Sequence, residues 1–132
     1  MSGPGRRRSG PSTRFACDAR LDGGCVVVEA EGELDLFTCA VLRERVRLAL
    51  DAAAPRRPLV VFDLERLTFC DLAGLNVFRD VHEQLVRVGG AVAFACVPYA
   101  FDQVVRAAGL SGVWLASDSV HDAVFRLAGA GP

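Results

Sequence analysis

The chain has 132 residues, 52% of them hydrophobic and 23% charged, with a formal net charge of −1. This length and apolar content predict one domain with a sizeable core and exclude a chain disordered throughout, while the near-neutral charge excludes the electrostatic footprint of bulk nucleic-acid binding. No apolar run reaches membrane-spanning length and no signal-peptide core opens the chain, so a cytoplasmic protein without membrane contact is expected.

Residues 1–13 are mostly Gly, Ser, Pro and Arg, with the run Arg6-Arg7-Arg8 and no apolar residue beyond Met1. They predict a solvated basic tail without fixed structure. The ordered domain is expected over residues 14–128, with a frayed C-terminus at 129–132. Strand-like runs at 15–20 and 25–31 flank Leu21-Asp22-Gly23-Gly24, a turn sequence, and predict an antiparallel hairpin. Cys25-Val26-Val27-Val28 is the more central of the two runs. Gly32-Glu33-Leu34-Asp35 then breaks the strand. A helix is predicted over 38–51, with Leu42, Val46, Ala49 and Leu50 on one face and Arg43, Glu44, Arg45 and Arg47 largely on the other.

Leu59-Val60-Val61-Phe62-Asp63 reads as a strand covered on both faces. A short loop and a tight corner at Asp71 to Gly74 lead into a helix that runs to Val88. Asp71 stands where an N-cap belongs, and Phe78, Val81, Leu85 and Val88 share a face with Gly74. Gly89-Gly90 stops that helix. A strand at 91–97, a short helix around Phe101 to Ala108, a short strand at 113–116 and a last helix entered by Ser119-x-x-Asp122 complete the order. The result is an α/β domain: a mixed, mostly parallel sheet with an N-terminal antiparallel hairpin and about four helices.

The residues carry no convincing enzyme constellation. There is no Gly-x-Gly-x-x-Gly, Walker or Gly-x-Ser-x-Gly motif. The five cysteines are widely spaced, without a Cys-x-x-Cys pair, and read as small buried hydrophobes rather than a disulfide or zinc framework. His82 has no partner at ligand spacing, so no metal or other cofactor is expected. A Cys70–His82 pair is the weak enzymatic alternative. Asp35, Asp63 and Asp71 fall at or just after the ends of strands that precede helices, where ligands of open α/β sheets gather. They suit a metal, or they simply end strands and cap helices. A receiver-like acidic pocket would need a late lysine, and the chain has no lysine. A helix N-terminus at Asp71 also offers free N–H groups to an anion such as a nucleotide, although the aspartates would repel it.

Gly32-Glu33-Leu34-Asp35, Val60-Val61-Phe62-Asp63-Leu64, Leu67-Thr68-Phe69-Cys70-Asp71-Leu72-Ala73-Gly74-Leu75, Gly89-Gly90 and Gly109-Leu110 together resemble the STAS family. The likeness extends over nearly the whole ordered chain. It implies the stand-alone type, an anti-sigma factor antagonist. Such a protein binds an anti-sigma factor, often a serine kinase with a histidine-kinase-like ATPase fold, and so frees a sigma factor. The resemblance implies no catalysis, a docking face of Asp35, Asp71, Leu72, Ala73, Gly74 and Asn76, and no direct nucleic-acid contact. It leaves weak homodimerisation open.

The sequence departs from the family at one position. Where the family carries a phosphorylatable serine after the motif aspartate, this chain carries Leu72. Three readings stay open: an antagonist that is always on, a scaffold using Leu72 against a different partner, or a buried leucine. Thr68 is the nearest hydroxyl, but it precedes the corner and is not expected to substitute.

Overall fold

The computed structural model describes residues 14–54 and 56–129. The expected basic tail, and residues 130–132 of the expected frayed end, lie outside the described residues. Among the described residues five strands and four helices follow one another as β1 (Phe15–Asp22), β2 (Cys25–Leu34), α1 (Cys39–Ala53), β3 (Leu59–Cys70), α2 (Leu72–Arg87), β4 (Ala91–Ala95), α3 (Tyr99–Ala107), β5 (Leu115–Ser117) and α4 (Val120–Val124). A π-type turn, Phe125–Gly129, continues α4.

The sheet order is β1-β2-β3-β4-β5. β1 and β2 are antiparallel; β2–β3, β3–β4 and β4–β5 are parallel. This is the mixed α/β architecture expected. The β-branched Val26, Val27 and Val28 and the run Val60-Val61-Phe62 are fully or almost fully buried, as strands covered on both faces require. The larger core packs Phe62, Phe78, Phe94 and Phe101 beneath α1, α2 and α3. The smaller core joins Val27, Val61 and Ala93 to Ala123 of α4 on the opposite face.

Two strands run further than the sequence predicts. β2 does not break at Gly32 but continues to Leu34, with register shifts between Glu29 and Glu31 and between Gly32 and Glu33. Gly32 takes φ +99°, and a Cβ there would collide with the Arg14 carbonyl oxygen. The glycine that reads as a strand breaker is therefore a bulge inside a strand. β3 likewise runs through the expected loop to Cys70, burying Leu64, Leu67 and Cys70. β4 ends at Ala95, two residues early, where Cys96 adopts φ +57°. In α2, Phe78, Val81 and Leu85 are buried as expected. Val88 is not: it lies past the last turn, exposed, with Gly89 at φ +84° behind it.

α2 is fixed on the sheet by aromatic contacts. Phe78 meets Phe62 edge-on at 4.9 Å between centroids and Phe101 edge-on at 5.4 Å. Phe94 stacks on Trp114 at 4.9 Å. These offset and edge geometries are favoured by the ring quadrupoles and hold the helix and its N-terminus in one place.

Candidate functional site

Two segments leave the sheet side by side at the carboxyl ends of β2 and β3. Leu34 pairs with Cys70 in register, and the Asp71 amide donates to the Leu34 carbonyl at 3.3 Å. Asp71 is extended, with φ −98°, and its Oδ1 accepts the Gly74 amide at 3.0 Å. It is thus an N-cap, and one free N–H of the helix end is already satisfied by a carboxylate. An incoming anion would meet that charge, which counts against a nucleotide at this corner.

Leu72 opens α2 with 63% of its surface exposed. The structure thereby decides against a buried leucine. Ala73 is half-buried and Gly74 buried. A Cβ on Gly74 would lie 2.7 Å from the Leu34 carbonyl oxygen and 2.9 Å from Cys70 Sγ, so the helix approaches β2 as only glycine permits. Asn76 is half-buried, and its side-chain oxygen accepts from Arg79 one turn on.

Asp35 lies on the neighbouring segment and organises its turn. Its Oδ1 accepts the amides of Phe37 at 2.9 Å and Thr38 at 3.1 Å. Its Oδ2 pairs with Arg14 at 3.1 Å. The buried Thr38 hydroxyl donates to the Glu33 carbonyl at 2.8 Å and accepts from the Asp35 amide at 3.0 Å. Burial pushes the Asp35 carboxyl up, but the Phe37 amide, the Arg14 guanidinium and Thr38 together outweigh it and hold the group below the ordinary carboxylate value.

Asp35 and Asp71 are therefore brought to one end of the sheet. Asp63 is not. It sits inside β3, opposite Glu29 and Ala95, well short of the strand's end. The expectation that it ends a strand fails because the strand runs on. On the other sheet face the ligand atoms of Asp63, Glu65 and Cys96 lie within 4.8 Å of one another. There Asp63 Oδ1 accepts the Glu65 amide, and Cys96 Sγ donates to the Asp118 carbonyl at 3.5 Å. Burial first, then the Asp63 and Glu65 charges, push the Cys96 thiol up, which favours its protonated form.

Cys70 at the corner is not an activated nucleophile. Burial, then the charge of Asp71, pushes the Cys70 thiol up to about 12, so it stays protonated at neutral pH. No hydrogen bond joins Cys70 to His82 among the described residues; the His82 ring lies 6.3 Å from Trp114. What the corner offers instead is apolar surface. Leu36 and Phe37 are 68% and 79% exposed, and Phe69 and Leu72 are exposed as well. Leu36, Phe37 and Phe69 are not among the docking residues that the sequence resemblance implies. The signal was present: two large apolar residues stand between Asp35 and Thr38, the two residues that tie the turn.

A family model described as STAS domain matches residues 16–123. The structure is similar to that of an anti-sigma factor antagonist from Mycobacterium paratuberculosis, with a TM-score of 0.75 and 21% identity over 91% of this chain and 98% of that one. It is similar to the anti-sigma factor antagonist SpoIIAA in its unphosphorylated form, with a TM-score of 0.72 and 23% identity over 89% of this chain and all of that one. A more distant likeness is to the murine solute carrier 26 family member A9 anion transporter, with a TM-score of 0.63 and 18% identity, where 82% of this chain covers 18% of that one. Among the described residues no helix is long and apolar enough to cross a membrane.

Proposed function

The chain belongs to the STAS domain family, and from that membership we propose that it works by docking rather than by catalysis, as an anti-sigma factor antagonist. The partner is an anti-sigma factor of the serine-kinase type with a histidine-kinase-like ATPase fold. Docking releases the sigma factor that this partner holds. The docking face centres on Asp35, Asp71, Leu72, Ala73, Gly74 and Asn76. Membership of the family and the length of chain shared with stand-alone antagonists support the reading.

The single observation that carries it is Leu72, held at the first position of α2 by the Asp71 cap and turned largely to solvent. Full burial of a leucine is worth about 1.5–3 kcal/mol, so an exposed one at a fixed corner is a ready contact. Leucine has no hydroxyl, so phosphorylation at this position cannot switch the contact off. The experiment is an affinity measurement with each purified ATPase-fold anti-sigma factor encoded by the source genome. Wild type should bind one of them and Leu72→Asp should not. Equal binding by both proteins would reject the corner as the docking face, and no binding by wild type would reject the antagonist reading.

A further inference from the structure

We propose that Leu36 and Phe37 form a pre-set apolar prong, and that it enters a pocket with an apolar floor and a cationic border on the same partner that docks on Leu72. This deepens the reading above and rests on it.

Phe37 is the most exposed large apolar side chain among the described residues, and Leu36 beside it is nearly as open. The turn that carries them is not loose. Asp35 accepts the Phe37 and Thr38 amides, Arg14 clamps the same carboxylate, and the Thr38 hydroxyl bridges back to Glu33. The buried Thr38 and the Cys39 amide, which donates to the Asp35 carbonyl at 2.9 Å, tie the turn directly into α1. The local polar groups are spent on holding the turn, while its two large apolar side chains face water. A contact ordered before binding loses less entropy on association, and aromatic anchors of this kind dominate interface energetics.

Place and charge select the occupant. Asp35 follows directly on Leu34, whose carbonyl takes the Asp71 amide, so the prong and Leu72 rise from the same end of the sheet. Glu33, Asp35 and Asp71 flank them; of the nearby cations, Arg14 is engaged by both Glu33 and Asp35 and Arg79 donates to Asn76, which leaves three carboxylates against two guanidinium groups. The border around the apolar surface is therefore net acidic. A complementary partner presents an apolar depression rimmed by Arg or Lys.

The test uses the full chain and the purified ATPase-fold anti-sigma factors of the source genome, titrated by calorimetry. Wild type, Phe37→Ser, Leu72→Asp and Val88→Ser are compared. Val88 is an exposed apolar residue at the far end of α2 and controls for general hydrophobicity. Urea midpoints confirm that the variants fold, as expected for exposed positions. Phe37→Ser should weaken binding by about tenfold or more, the loss typical of a truncated anchor, with Val88→Ser unchanged. If Leu72→Asp loses binding while Phe37→Ser matches wild type, the prong is rejected and the antagonist reading survives. If no anti-sigma factor binds wild type, both fall. If wild type dimerises in the ultracentrifuge and Phe37→Ser is monomeric with unchanged partner affinity, the prong's occupant is a second copy and the proposal is overturned.

Discussion

At the scale of single residues, Asp35 shows how a carboxylate can serve structure next to the proposed docking surface. Two amides and one guanidinium converge on it, and its pKa falls although burial works the other way. Its unfolded-state value is about 3.9. Because the folded value is lower, the unfolded chain binds more protons between the two values, and stability rises with pH across that window. The contribution is fully present above the unfolded value and is lost as pH falls through the folded one. Urea unfolding of wild type and Asp35→Asn between neutral pH and about pH 3 should show it. Wild type should lose more stability on acidification than the variant, and at neutral pH the variant should be the weaker. Parallel pH profiles would show that Asp35 adds nothing by its charge.

At the scale of elements, the contact between α2 and β2 depends on Gly74. Gly→Ala within a helix ordinarily gains up to about 1 kcal/mol from propensity. Here the new Cβ would press on the backbone oxygen of Leu34, which cannot move aside like a flexible side chain. Overpacking of this kind costs about 1–3 kcal/mol. Gly74→Ala should therefore be less stable than wild type in urea, by up to about 2 kcal/mol once the full propensity gain is subtracted, and should displace Leu72 from its place at the corner. A stability equal to or above wild type would mean that the helix end can shift freely.

The same two elements show what was legible in the sequence. The helical face of Phe78, Val81 and Leu85 and the Asp71 cap were readable because each follows from a local rule, periodicity in one case and cap chemistry in the other. The ends of β2 and β3 were not. From Leu64 onward β3 buries every third residue, Leu64, Leu67 and Cys70, because its pairing with the bulged β2 slips. That spacing matches neither a regular strand nor a helix, and only the partner strand explains it. Asp63 was misplaced for the same reason. The exposed Leu36 and Phe37 were hidden by the opposite effect: apolar residues read as core until a fold shows which of them face water.

At the scale of the whole molecule, the sheet and its aromatic core hold a corner where the STAS resemblance implies a phosphorylatable serine, and here that corner carries Leu72. A phosphate on a serine at this point would add about −1.5 to −2 charges at neutral pH. The helix dipole would tolerate it, but a partner surface shaped for an apolar contact would not. Wild type should thus keep its complex with a kinase-type anti-sigma factor when ATP is supplied, and its intact mass should stay unchanged. Leu72→Ser restores the hydroxyl without disturbing an exposed position. With ATP and the same partner it should gain one phosphate and then release the partner, which intact-mass spectrometry and gel filtration would both report. Phosphate on Leu72→Ser with release of the partner would mean that this corner still faces the kinase's active site and that one side chain has set the switch permanently to binding. A Leu72→Ser variant that binds but takes no phosphate would mean that the partner has no kinase activity toward this site, and that control of the complex lies elsewhere on its surface.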